Sequence, residues 1–518
     1  MEQADILVLG SGLGGCAAAW AAAEKGADVI MMTRAHRPEE SNSFWAQGGI
    51  VFKSEQDSPE LLERDILEAG AGLCNPEAVR LLAQNGPALV QRLLIDALGI
   101  QFDRVRENPS EWDLTNEAAH SIPRILHAKD QTGAAIERTF FERVAAHPRI
   151  RLLRGLTAVD LLTIPHHSQA PLDIYREPAC FGVYALDQAD GKIVPILARE
   201  TILATGGLGQ LFLHTTNPRG ARGDGLAMAH RAGARSVNLQ YIQFHPTALL
   251  HPSGSFLISE SMRGEGARLV DGQGREFMKD VHPDGSLAPR DVVARGIYQH
   301  MIETGEPCAW LDITHKPADF VRARFPGIYQ HCLALGIDIT RDRIPVVPAA
   351  HYSCGGIAVD EWGRTSLSRL RAVGEVACTG VHGANRLGST SLLECLVWGT
   401  RAGEQSAEMA VTGEPAYFPP IAGWRYEREP ADPALIAQDW LMIRHTMWNY
   451  AGLIRSSKRL ARAREILQEL HLEISRFYQL AEVSDGIIGL RNGVEAALLI
   501  VQAASECRTS CGCHYRVD

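Results

Sequence analysis

Four consecutive apolar residues, Ile6-Leu7-Val8-Leu9, end at a glycine, the pattern of a strand buried on both faces. The alanine-rich stretch Ala17 to Lys25 favours helix, and Gly26 stands where a helix C-cap prefers glycine. Val29-Ile30-Met31-Met32 repeats the buried-strand pattern. Farther on, Thr201-Ile202-Leu203-Ala204 runs into the turn Thr205-Gly206-Gly207, and Arg371 to Cys378 reads the same way. Strands alternating with helices predict an open, mostly parallel α/β sheet.

From about Asn238 to His351 the texture changes. His, Arg, Gly and Pro are frequent, and charges fall in short clusters such as Glu260, Arg263 and Glu265, as suits a second domain closing over a ligand. Between Thr412 and Pro433 the prolines 415, 419, 420, 430 and 433 break up any regular element. Beyond them Leu460, Ala463, Leu467, Leu470, Ile474 and Phe477 fall three and four apart, one apolar seam on a long helix; Leu490 to Glu506 has the same look. A seam of about three heptads predicts a small packed helical domain rather than an extended coiled coil.

The composition is that of a globular chain: 46% apolar and 22% charged residues over 518 positions, which excludes disordered and fibrous classes. A net charge of -10 argues against nucleic acid as a partner. The longest uncharged run, Ile6 to Ala23, is broken by glycines and preceded by Glu2 and Asp5, so neither a secretory signal nor a membrane span is expected. Eleven scattered cysteines, an odd number, read as reduced thiols. The expectation is a soluble, cytoplasmic protein with no membrane partner.

Gly10-Ser11-Gly12-Leu13-Gly14-Gly15 fits G-x-G-x-x-G and lies between a predicted strand and helix. Gly10 permits the turn, Gly12 lets a pyrophosphate approach the backbone, and Gly15 allows close helix–strand packing. The second strand ends in Thr33-Arg34 rather than the acid that grips a ribose, which weakens a nicotinamide reading more than a flavin one. In Asn42-Ser43-Phe44-Trp45-Ala46-Gln47-Gly48-Gly49, the paired glycines let the backbone run flat against a planar ligand.

Further motifs follow in order: Gly223-Asp224-Gly225, Gln243-Phe244-His245-Pro246-Thr247, and Glu260-Ser261-Met262-Arg263-Gly264-Glu265-Gly266. Ala288-Pro289-Arg290-Asp291, His351-Tyr352-Ser353-Cys354-Gly355-Gly356 and His382-Gly383-Ala384-Asn385-Arg386 complete the set. Over nearly the whole chain these motifs resemble the flavoprotein family of succinate dehydrogenase and fumarate reductase, and within it the aspartate-oxidising branch. The resemblance implies an α/β fold in which a Rossmann-like FAD-binding domain (1–237 and 352–412) is interrupted by an α+β capping domain (238–351). A linker (413–433) and a C-terminal helical domain (434–518) follow.

The implied activity is FAD-dependent oxidation of L-aspartate to iminoaspartate, the first step of NAD biosynthesis by the quinolinate route. The implied acceptors are dioxygen, giving hydrogen peroxide, or fumarate, with handover of the product to quinolinate synthase. A soluble fumarate reductase or succinate oxidase, and a non-catalytic flavoprotein subunit of an electron-transfer complex, are the competing readings. Respiratory members carry a histidine bonded covalently to FAD; Asn42 stands at that place, which implies non-covalent FAD.

Transferred residue by residue, the resemblance implies that cationic groups clamp the substrate's carboxylates: His245, His351 and Arg386, with Ser259 and Gln243 beside them. Glu117, which by itself reads as a solvated surface acid, is implied to meet the ammonium. Arg290 is implied to exchange protons with the substrate through Glu260 and Arg263, which share one face if helical. An arginine serves so only if its surroundings alter it. The implied flavin contacts are Ser11 to Gly14, Arg34, Asn42 to Gly49, Thr157, Ala158, Asp224, Glu375, Ser391 and Leu392. Ser391-x-x-Glu394 also reads as a capping box opening a helix near Thr390. The end of the chain departs from the family: Ser510-Cys511-Gly512-Cys513-His514 has cysteine where relatives carry arginine. Cys507, Cys511, Cys513 and His514 lack a standard zinc spacing, so no metal is expected and the end reads as frayed, with free thiols.

Overall fold

The computed structural model of the chain describes residues 2–117, 119–252, 254–413, 416–424 and 429–518. Ala118, beside Glu117, and Pro415, in the expected linker, lie outside them. The strands Ile150–Arg154, Val29–Thr33, Glu2–Leu9, Ile193–Leu203 and Leu370–Ala372 pair in parallel, and Cys180–Asp187 and Leu156–Thr163 extend the sheet antiparallel. The sheet is thus mixed, with a parallel core and an antiparallel flank. Its central strands are buried on both faces, which is why they read as unbroken apolar runs.

The alanine-rich helix Leu13–Glu24 packs against the long helix Thr390–Thr412. A Cβ at Gly399 would stand 2.6 Å from the Gly14 carbonyl oxygen, and one at Gly403 would stand 2.2 Å from that of Ala18. Small residues on both helices therefore let two backbones meet directly beneath the glycine turn.

A second, antiparallel sheet holds Phe256–Leu257, Ile242–Leu249, Ile344–Ser353, Ala309–Asp312 and Arg268–Val270 in that order. With the helices Glu260–Gly264 and Arg290–Thr304 it forms the α+β cap. The strand Ile344–Ser353 runs through the boundary expected at 351/352, so His351 and Tyr352 sit on one rigid element.

Three helices close the chain: Pro433–Ala451, Ser457–Leu480 and Asp485–Glu506. In the second, Leu460, Ala463, Leu467, Leu470 and Ile474 are buried, each larger side chain contributing about 1.5–3 kcal/mol. The third is long and apolar enough to cross a membrane, yet 67% of its apolar window is buried, as in a core helix.

The last residues are not frayed. His514 is fully buried, its Nδ1 2.6 Å from Arg455 Nη1, and the backbones of Arg455, Tyr515 and Val517 exchange hydrogen bonds at 3.0 Å. Cys513 N–H donates to Ala384 O at 2.9 Å, and Cys511 Sγ reaches Ala71 O at 3.6 Å. The Cys511 thiol thus makes one weak contact, and backbone pairing to Arg455 ties down the rest. All eleven cysteines are free thiols, and no metal-binding cluster of His, Cys, Asp or Glu occurs among the described residues.

Candidate active site

A continuous cleft lies between the mixed sheet and the cap. One wall is the glycine turn. Gly10 has φ +115°, and a Cβ there would lie 2.1 Å from Ala204 O, so only glycine fits. The helix Leu13–Glu24 starts from Gly12 with no side-chain cap, and its Leu13 N–H donates to Ser43 Oγ at 3.1 Å. Uncapped amides and a helix dipole aimed into the cleft suit a pyrophosphate. Ser11, Gly12, Leu13, Gly14, Asn42, Ser43 and Trp45 to Gly49 line this wall.

Gly15, the expected packing glycine, and Phe44, an expected flavin contact, do not line the cleft. Gly15 stands one layer behind, where a Cβ would meet Gly10 O at 2.1 Å; it is a packing glycine. Phe44 turns its ring away, against Trp45 and beneath the Arg138 guanidinium.

At one end of the cleft Arg34, Thr157, Ala158 and Asp224 line the wall. No acid follows the second strand, but two acids stand beside Arg34, Glu40 in the cleft wall and Asp485 behind it. Glu40 lines the cleft and lies 3.4 Å from Arg34. Asp485, the first residue of the last helix, lies 3.4 Å from Arg34 and 3.0 Å from Arg222, and it accepts a 2.8 Å hydrogen bond from Thr157 Oγ1. Burial alone would raise the Asp485 pKa, but Arg222 and Arg34 outweigh it and hold the carboxylate below its ordinary value. Nothing local in the sequence marks Asp485; its partners lie hundreds of residues away.

At the other end His245, on the strand Ile242–Leu249, faces His351 on its neighbour, with ring centroids 5.3 Å apart. Thr247 N–H donates to His245 Nδ1, which leaves the proton of the neutral ring on Nε2. His351 Nδ1 pairs with Thr216 Oγ1 at 2.8 Å. Burial, reinforced by nearby arginines, holds both pKa values well below the ordinary histidine value. Both rings are therefore neutral, not cations, and the positive charge comes from arginine.

Arg386 is that arginine. Its guanidinium lies over the Tyr352 ring at 4.5 Å from the centroid, donates to Ser391 Oγ at 2.8 Å, and reaches Gln243 Oε1 at 3.2 and 3.3 Å. Gln243, expected at the substrate, is 1% exposed and does not line the cleft; it braces Arg386 from behind. The capping box does not form either. The helix begins after Ser389, Ser391 accepts from Arg386, and Glu394 is buried among Tyr352, Thr379 and His382. Three tertiary partners outweigh one local cap.

Arg290 opens the helix Arg290–Thr304 and donates through Nε to Glu260, whose other oxygen lies 3.2 Å from Arg263. Arg263 is fully buried, does not line the cleft, and donates to Ser286 O at 2.7 Å. Burial would lower the Arg290 pKa, but Glu260 and Glu117 outweigh it and the net shift is upward. The surroundings thus keep the guanidinium protonated, fit to stabilise negative charge. Ser259 caps the helix Glu260–Gly264: its Oγ accepts from Ser261 N–H and Oγ, so its own proton is free for the cleft that it lines.

Glu117 stands between these cations. It lines the cleft, and its Oε2 accepts from Ser389 Oγ at 2.9 Å. Burial pushes its pKa above the ordinary carboxylate value, against the opposing pull of Arg290. Glu375 and Leu392 line the cleft between the two ends, and Tyr352 and Leu257 add walls that motif reading overlooked. Tyr352 is the neighbour of His351 in a quoted motif; Leu257, by contrast, carries no sequence signal.

The glycine cradle, the aimed amides and the acid-bearing far end fit a flavin dinucleotide, with the arginine-rich end left for a small anion. Comparison with known proteins agrees. A family model described as FAD binding domain matches residues 5–392, and one described as Fumarate reductase flavoprotein C-term matches 441–518. L-aspartate oxidase 1 of Ralstonia nicotianae is 44% identical over 99% of this chain and 95% of its own length. The L-aspartate oxidase of Pseudomonas aeruginosa is 42% identical over 100% and 95%. Among solved structures, E. coli quinol fumarate reductase FrdA superposes with a TM-score of 0.86 at 27% identity, covering 100% of this chain and 92% of that one. FAD is the cofactor these residues hold, and the chain belongs to the L-aspartate oxidase family, a branch of the flavoproteins that also contain fumarate reductase.

Proposed function

We propose that the protein oxidises L-aspartate to iminoaspartate, the first step of de novo NAD biosynthesis. When bound, FAD supplies the two-electron acceptor for the hydride leaving Cα. Dioxygen, becoming hydrogen peroxide, or fumarate, becoming succinate, takes those electrons in turn. Iminoaspartate is unstable in water, so prompt use by quinolinate synthase is part of this reading.

The observation that carries it is one acid among the cations. A plain dicarboxylate needs donors and positive charge, which Arg386, Arg290, His245, His351 and Ser259 provide. Glu117 would repel such a ligand, but it matches an ammonium group on the same four-carbon frame. Held so, L-aspartate has its carboxylates on the arginine and histidine donors and its nitrogen at Glu117. The raised pKa of Glu117 suits it to take a proton from that nitrogen. Arg290, backed by Glu260 and Arg263, donates a proton when fumarate is the acceptor.

Anaerobic mixing with L-aspartate should bleach the yellow protein, and air should restore the colour with release of peroxide. Bleaching by succinate but not by L-aspartate would favour the fumarate reductase or succinate oxidase reading instead.

A further inference from the structure

Ser389 is the N-cap of the helix Thr390–Thr412, yet it behaves unlike the other serine caps of this molecule. Ser58, Ser456 and Ser484 are extended and each accepts a hydrogen bond from the N–H three residues on, and Ser259 accepts one from the N–H two residues on. Ser389 has φ +57° and ψ 7°, the left-handed region that side-chain-bearing residues rarely adopt, and it makes no cap hydrogen bond. Its hydroxyl instead donates to Glu117 Oε2 at 2.9 Å, across 272 residues. Local helix stability is forgone for a contact in the cleft, as strained residues at functional sites commonly show.

The rest of the holder is shaped to match. A Cβ at Gly48 would stand 2.1 Å from Glu117 Oε1, and one at Gly388 would stand 2.4 Å from Oε2, so a side chain at either position would displace the carboxyl group. His120 Nε2 meets Gly388 O at 3.0 Å, and Val51 N–H donates to Ser389 O at 3.2 Å, which fixes the Glu117 loop against the helix start. Ser389 occupies Oε2 and leaves Oε1 for a ligand.

We infer that Ser389 is the positioning residue for Glu117 and, through it, sets the preference for a diacid carrying an ammonium group over the plain diacid. The inference rests on the reading that Glu117 meets the substrate nitrogen. A hydroxyl donated to a buried carboxylate favours its charged form, and only the charged form attracts an ammonium.

The test uses FAD-loaded protein and three variants: Ser389→Gly, which relaxes the left-handed backbone while deleting the hydroxyl, Ser389→Ala and Glu117→Gln. In Ser389→Gly and Ser389→Ala the KM for L-aspartate should rise about tenfold, and the Ki of succinate as a competitive inhibitor should stay within about twofold. The acidic limb of the kcat/KM profile for L-aspartate should move to higher pH. An unchanged KM and acidic limb in Ser389→Gly overturns the proposal, as does an equal loss of L-aspartate and succinate binding, which marks a merely structural role. If Glu117→Gln keeps full preference for L-aspartate, the reading of Glu117 itself fails. If Glu117→Gln loses that preference and Ser389→Gly keeps it, only the role of Ser389 fails.

Discussion

Asn42 donates its side-chain amide to Glu375 Oε2 at 2.8 Å, joining two cleft-lining residues that lie 333 positions apart. Glu375 also accepts from Ser353 N–H, and burial pushes its pKa up to about 7. Asn42 thus presents an amide, a poor nucleophile, already engaged with a carboxyl group. Acid precipitation of the holoprotein should leave the yellow colour in the supernatant, read as flavin absorbance after centrifugation. A yellow pellet would mean a covalent bond.

The Arg290–Glu260 pair predicts a large catalytic loss without loss of cofactor. Arg290→Leu removes the cation that two acids hold protonated, and kcat should fall by about 10³. FAD content per chain should stay the same, because Arg290 stands at the small-anion end of the cleft. Residual turnover within tenfold of the parent would contradict this role for Arg290.

Asp485 predicts the opposite separation. It ties Arg34, Thr157 and Arg222 together at the far end of the cleft, well away from Glu117 and Arg290. Asp485→Asn should weaken FAD binding about tenfold, as measured by fluorescence titration of apoprotein. Once the protein is saturated with FAD, the KM for L-aspartate should match that of the parent.

Glu137 predicts a pH effect on stability. It is fully buried, and burial, offset only in part by Ser41, raises its pKa from 4.5 to about 8. The folded protein thus binds a proton that the unfolded chain releases above about 4.5. The neutral form's stabilising share is complete below pH 4.5 and is lost as pH rises towards 8, by up to about 5 kcal/mol. Glu137→Gln, neutral at every pH, should melt close to the parent at pH 5 and increasingly above it towards pH 9. Parallel melting curves across that range would show that Glu137 does not titrate in this way.

Local signatures mislead where they meet long-range demand. Ser391-x-x-Glu394 has the spacing of a capping box, but Glu394 serves Tyr352, Thr379 and His382, and the helix begins without it. Gln243 stands in a motif of binding residues, yet it is the brace of Arg386. The histidines were expected to be cationic, and burial keeps them neutral. The chain end, polar and rich in cysteine, was expected to fray; backbone pairing to Arg455 orders it.

By itself the sequence determined what depends on neighbours along the chain. The glycine turn, the buried strands, the apolar helical seam and the identities of the acids and cations follow from local sterics, periodicity and side-chain chemistry. Tertiary structure alone decided which of those groups meet and which are charged. Ser389 reaches Glu117 across 272 residues, and Asp485 reaches Arg34 across 451. Such contacts depend on how the sheet, cap and helices pack, and ionisation depends on how much water that packing excludes.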